Sequence, residues 1–129
     1  MSFLTRTAAT SLIALVAATP LKAESLDVRI GYLQWVPDQG PVLSNVIPEP
    51  EDAGLRGAEL AINDNSTTGR FLGQTYSLQN TVADSEEAAI AAFDSMRESG
   101  LELFVVNAPA STLKTLTEKA GDNTLIFNA

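Results

Sequence analysis

The sequence predicts an α/β fold: a three-layer domain with a four-stranded parallel sheet in the order 2-1-3-4 and helices on both faces. Three observations predict it. Short apolar runs alternate with stretches of helical periodicity, giving β-α-β-α-β-α-β along the chain. Such alternation implies parallel strands joined by right-handed crossover helices. The length of 129 residues is one domain's worth, and 45% apolar content is enough for a core and too much for a disordered chain.

The first segment stands outside the fold. Met1–Arg6 carries one positive charge, Thr7–Thr19 is a small apolar run, and Pro20-Leu21-Lys22-Ala23 precedes the polar Glu24-Ser25. That order of charged, apolar and small residues is the pattern of a secretory signal peptide, with cleavage expected after Ala23. The apolar run is shorter than the ~20 residues of a membrane span. Residues 1–23 are therefore expected to be removed on export, leaving 24–129 as the folded part.

Val28–Gln34 is expected to form the first strand, with Val28, Ile30 and Tyr32 on one face and Leu33 and Trp35 on the other. Between Trp35 and Asp52 lie Pro37, Gly40, Pro41, Pro48 and Pro50, which predict a long loop of the kind that tends to be functional. Asp52–Asp64 places Leu55, Ala58, Ala61 and Ile62 at helical spacing behind acidic residues. Asn65–Gly69 reads as a polar turn and Gln74–Thr81 as an edge strand. Asp84-Ser85-Glu86-Glu87 has the D-x-x-E form of a capping box. Its helix, with Ala88, Ala89, Ala92, Phe93 and Met96 inward, is expected to run to about Ser99 and stop at Gly100. Leu101–Val106 is a continuous apolar strand broken only by Glu102. Ser111 or Thr112 is expected to cap the next helix, whose stripe is Leu113, Leu116 and Ala120 and whose end is Gly121. Thr124–Phe127 is the final strand.

In the order 2-1-3-4 the topological switch falls between the first and third strands, and ligands of such sheets bind beyond the strands' carboxyl ends at the switch. Trp35–Pro41, Asn107–Thr112 and Asn128–Ala129 meet there. Free backbone N–H groups and the positive helix end favour a carboxylate or phosphate at Ser111 and Thr112, although position alone favours the reading that either residue serves only as a helix cap. Trp35, the sole tryptophan, can stack on a ligand or cover the end of the core.

Composition excludes several functions. The chain has no Cys and no His. Disulfides, thiolate zinc sites, cysteine nucleophiles and imidazole-dependent triads are therefore ruled out. A formal charge of -8 argues against nucleic acid as a partner. Glu49-Pro50-Glu51-Asp52 and Asp84–Glu87 lack the pattern of a calcium loop, and no phosphate loop, dinucleotide fingerprint or nucleophile elbow is present. The residues point to a binding crevice without a catalyst, and so to a protein that is not an enzyme, with no cofactor or metal.

VRIGYLQW, GLRGAELAIND, GRFLGQTYSL, DSEEAA, LFVVNAPAST and LIFNA occur in this order. The pattern resembles the first third of the periplasmic amino-acid-type substrate-binding proteins, the leucine/branched-chain group served by ABC transporters. The Pro-rich loop and NAPAST are closer still to a subgroup found beside PQQ-dependent alcohol dehydrogenase systems. The resemblance implies a partial N-terminal lobe of a type I periplasmic binding protein, capturing a small solute for a membrane permease. By analogy with the family, that solute is expected to bear a carboxylate. The resemblance also implies ligand contacts at Ala110, Ser111 and Thr112, a further contact at Asn128, and a cover provided by Trp35. Asn107-Ala108-Pro109 replaces the usual Gly-Pro, and Asn80-Thr81 replaces the acids often found after the second strand, so the solute's identity stays open. The competing readings are a self-contained flavodoxin-like domain and a non-transporting periplasmic sensor.

Overall fold

A computed structural model describes residues 25–38, 40–41, 47 and 49–129. The expected signal peptide lies outside the described residues, as do Gln39, 42–46 and Pro48 of the expected loop. The elements are β1 (Leu26–Gln34), α1 (Ala53–Leu72), β2 (Gln74–Val82), α2 (Glu86–Glu98), β3 (Leu103–Asn107), α3 (Ala110–Ala120) and β4 (Leu125–Asn128). All four strands are parallel, in the order β2-β1-β3-β4. The α/β class and strand order are those expected from the alternation of elements.

Register assigns each residue to a face. Leu33 lies beside Val106 and Thr81, and Phe104 lies beside Gly31 and Ile126. This face carries the main core. Leu33, Phe104 and Val106 pack with Ala89, Phe93 and Met96 of α2 and with Leu116 and Ala120 of α3. The rings of Phe93 and Phe104 are tilted by 54° with centroids 4.7 Å apart, a favourable aromatic geometry. A Cβ on Gly31 would lie 2.8 Å from the Phe104 ring, so the bare backbone of β1 makes room for that ring. Arg97 spans α2 and α3, reaching over the Phe93 ring at 5.7 Å and donating to the Lys119 carbonyl.

The opposite face carries Tyr32, Tyr76 and Leu78, and α1 lies on it. Helix α1 is longer than the periodicity predicts: Asn65–Gly69 is helix, not turn. The polar side chains there bond back to their own helix, Asn65 Nδ2 to the Ala61 carbonyl at 2.7 Å and Thr67 Oγ1 to the Asn63 carbonyl at 3.0 Å. They sit on the solvent side, where turn-favouring residues are tolerated. Gly69 is the buried contact: a Cβ there would meet the Tyr76 ring at 2.8 Å and the Gln74 carbonyl at 2.9 Å. The helix then stops at Gly73, left-handed at φ 70°, whose N–H bonds to the Gly69 carbonyl. Twenty helical residues span ~30 Å, and nine strand residues span nearly the same, so α1 runs the full length of β2.

Two helix starts also differ from expectation. The cap of α2 is Ser85, whose hydroxyl accepts from Ala88 N–H at 3.1 Å, one residue later than the Asp84 box. Glu86 and Glu87 then occupy the first turn, where the helix dipole favours them. The residue preceding α3 is Pro109, which places Ser111 and Thr112 inside the first turn and leaves neither as cap. The end of α2 follows expectation: Gly100 N–H bonds to Arg97 O and Leu101 N–H to Met96 O, a Schellman closure with Gly100 at φ 86°.

Candidate functional site

The carboxyl ends of β1 and β3 lie side by side at the switch point. Trp35 N–H donates to the Asn107 carbonyl at 2.9 Å, extending the ladder one residue past β1. Ala83 N–H donates to the Gln34 carbonyl at 2.8 Å on the β2 side.

The residues expected from the sequence to form the site divide into three settings. Trp35 is half-buried and packs against the α2–α3 core, so it covers the core's end. Ala110 and Ser111 are exposed at the start of α3. Thr112 is fully buried, and its hydroxyl donates to a Glu86 carboxylate oxygen at 2.9 Å. In α3 the Leu113 N–H is taken by the Pro109 carbonyl, the first bond of the helix. The N–H groups ahead of it belong to the first turn, which has no intrahelical acceptor to offer. Asn128 is placed elsewhere: it shares a face with Val106 and lines a groove of about 310 Å³ with Leu113, Thr117, Ala120, Gly121, Thr124 and Ile126. Trp35 and Ser111 do not line that groove.

A polar cluster that the sequence does not single out sits on the α1 side of the same sheet end. The Tyr32 hydroxyl donates to Gln34 Oε1 at 2.6 Å, and Gln34 Nε2 donates to the Glu51 carbonyl at 2.8 Å. Both side chains are buried. Gly54 passes so close to the phenol oxygen that a Cβ would collide with it. Burial pushes the Tyr32 phenol above its ordinary pKa, and the Asn107 side chain pulls more weakly in the opposite direction. Gln34 and Asn107 are register partners, which is what brings these polar groups together. The available signal in the sequence is the shared parity of Tyr32 and Gln34 at the end of an apolar strand.

No family model, curated protein or solved structure matches the chain. Function therefore rests on the residues alone. At the start of α3 they offer the exposed Ser111 hydroxyl and first-turn N–H groups, a set suited to hydrogen bonding a small anion. Among the described residues no group of three His, Cys, Asp or Glu side chains is arranged to hold a metal ion. Among the same residues no helix is long and apolar enough to cross a membrane.

Proposed function

We propose that this chain is the solute-binding component of a periplasmic ABC transport system, contributing one wall of a cleft that captures a small carboxylate-bearing solute for a membrane permease. The observation that carries this reading is the switch point between β1 and β3, where Trp35 N–H bonds to Asn107, three residues ahead of the amino end of α3. Carboxyl-end switch points are where open parallel sheets bind ligands. A helix amino end there adds free N–H groups and a partial positive charge that favour a carboxylate.

In this reading the solute's carboxylate takes hydrogen bonds from the Ser111 hydroxyl and the first-turn N–H groups around Ala110. Trp35 closes one side. Thr112 supports Ser111 from below, its buried hydroxyl donating to Glu86. Asn128, on the next strand, would reach the solute only from the groove side. The two-lobed architecture, the permease and the periplasmic location follow from the family resemblance.

A thermal-shift and calorimetric screen of the receptor encoded by the whole reading frame, against a panel of small carboxylic acids and amino acids, tests this. One chemical class should raise Tm saturably, and Ser111→Ala should weaken it about tenfold, the loss expected for one hydrogen bond to a charged group. A panel without a binder, or binding indifferent to both Ser111→Ala and Thr112→Ala, removes the reading.

A further inference from the structure

Among the described residues the buried polar side chains are Gln34 and Thr112. Both stand toward the carboxyl end of the sheet, Gln34 under the start of α1 and Thr112 between α3 and α2. A buried polar group is tolerated only when it is bonded, and an apolar side chain of the same size would fill the space as well. What the hydrogen bonds add is direction, since they fix the distance and angle of a partner and apolar contact does not.

The Gln34 backbone is held from both sides. Its carbonyl accepts from Ala83 N–H at 2.8 Å, and the next N–H, that of Trp35, donates to the Asn107 carbonyl at 2.9 Å. The side chain carries this fixed point to α1. Nε2 donates to the Glu51 carbonyl at 2.8 Å, two residues ahead of the helix, and Oε1 accepts from the Tyr32 hydroxyl at 2.6 Å. Ala53 N–H bonds to the Pro50 carbonyl at 3.0 Å, so Glu51 lies inside the turn that begins α1. Gly54 follows in the helix and, lacking a Cβ, passes directly over the phenol oxygen. The first turn of α1 is seated on the Tyr32–Gln34 pair.

The start of α3 is set from the same residues. Asn107 is the register partner of Gln34, and only Ala108 and Pro109 separate it from α3. Its carbonyl is taken by Trp35, and its side chain reaches the Tyr32 phenol. The fixed φ of Pro109 leaves little slack in this short turn, so a shift at Asn107 passes on to Ala110 and Ser111. Thr112, bonded to Glu86, holds the other side of the same helical turn.

We propose that Gln34 is a positioning residue of the crevice: its side-chain amide sets the amino ends of α1 and α3 against each other, and thereby how tightly the first turn of α3 holds a carboxylate. The proposal rests on the receptor reading for its solute and on the bonds of Gln34 for the placement. In this role Gln34 does not touch the solute and acts through Glu51, Tyr32 and Asn107. An amide is the group the position needs, because it accepts from a hydroxyl and donates to a carbonyl at once. A carboxylate can only accept, and a thioether of similar size donates nothing.

Amide NMR of the receptor encoded by the whole reading frame, titrated with formate as the carboxylate probe, tests this. Gln34→Met removes both side-chain bonds at similar volume. Gln34→Glu keeps the acceptor and regains the donor only when its buried carboxyl is protonated. Tyr32 stays protonated between pH ~5 and ~7, and the neighbouring Glu51 and Asp52 are exposed. Gly69→Ala strains the far end of α1 and leaves the crevice alone. Gln34→Met should move the Ala110 and Ser111 amides before formate is added and raise the formate Kd about tenfold. Gln34→Glu should match that loss at pH ~7 and recover toward pH ~5. Gly69→Ala should melt earlier and keep the wild-type Kd. A wild-type Ser111 amide that ignores formate removes the receptor reading and the proposal with it. Ala110 and Ser111 amides unmoved by Gln34→Met overturn the proposal alone, as does a formate Kd that Gln34→Met leaves unchanged or that Gly69→Ala raises equally.

Discussion

The Thr112 hydroxyl is committed to the Glu86 carboxylate at 2.9 Å, joining the first turn of α3 to the first turn of α2. Thr112 is fully buried and Glu86 half-buried, so water does not replace this bond easily. Its neighbour Ser111 is exposed to solvent. Two adjacent hydroxyl residues at one helix start therefore have different work: one holds two helices together, the other is free to meet a ligand.

Thr112→Val should cost about 1.5–3 kcal/mol, because it removes a hydrogen bond to a charged group and keeps the volume. Ser111→Ala should stay within about 0.5 kcal/mol, as surface substitutions do. Urea unfolding of the two variants checks the contrast, and equal losses would contradict the division of roles.

The glycines of α1 make opposite predictions. Gly69→Ala places a Cβ 2.8 Å from the Tyr76 ring and 2.9 Å from a backbone carbonyl, and should destabilise by about 1–3 kcal/mol through overpacking. At Gly57 a Cβ would have nothing within 4 Å, so Gly57→Ala should stabilise by about 0.5–1 kcal/mol. Thermal melts of both variants give the test.

The buried Tyr32 phenol makes the fold sensitive to alkali. Its native pKa lies above the unfolded value of about 10, so the native state holds the proton more tightly. The stability this provides is complete below the unfolded value and is lost as pH rises through the native one. Tyr32→Phe should flatten that loss in unfolding experiments above pH ~10, while lowering stability at neutral pH by about 1 kcal/mol for the missing bond to Gln34. An alkaline profile identical in both proteins would assign the sensitivity to another group.

Export is expected to end with cleavage after Ala23. Mass spectrometry of the periplasmic fraction should find Glu24 as the first residue, and intact Met1 in the cytoplasm would contradict it.

The strand order was legible because each apolar run carries its own punctuation: Gly73, Gly100 and Gly121 mark the three helix ends that return the chain to the sheet. The length of α1 was not. Asn65, Ser66, Thr67 and Thr68 favour turns by local chemistry, whereas the close fit of Gly69 against Tyr76, which seats that stretch on β2, is long-range. The role of Thr112 was half legible. Its position at a helix start is local information, but its partner Glu86 is 26 residues away and is brought near only by the packing of two helices. The Tyr32–Gln34 bond is local to one strand, but its continuation to the Glu51 carbonyl and its neighbour Asn107 come only from packing and register.

The bond from Gln34 Nε2 to the Glu51 carbonyl closes a stretch of chain across 17 positions, while Trp35 N–H pins its first residue to β3. The sheet and α1 are thus fastened to each other without reference to what connects them. Doubling a closed connection of this kind adds only ~0.6 kcal/mol of entropy loss. The span from Val36 to Pro50 is accordingly tied at both its ends, and lengthening it by insertion should cost the sheet and α1 little of their stability.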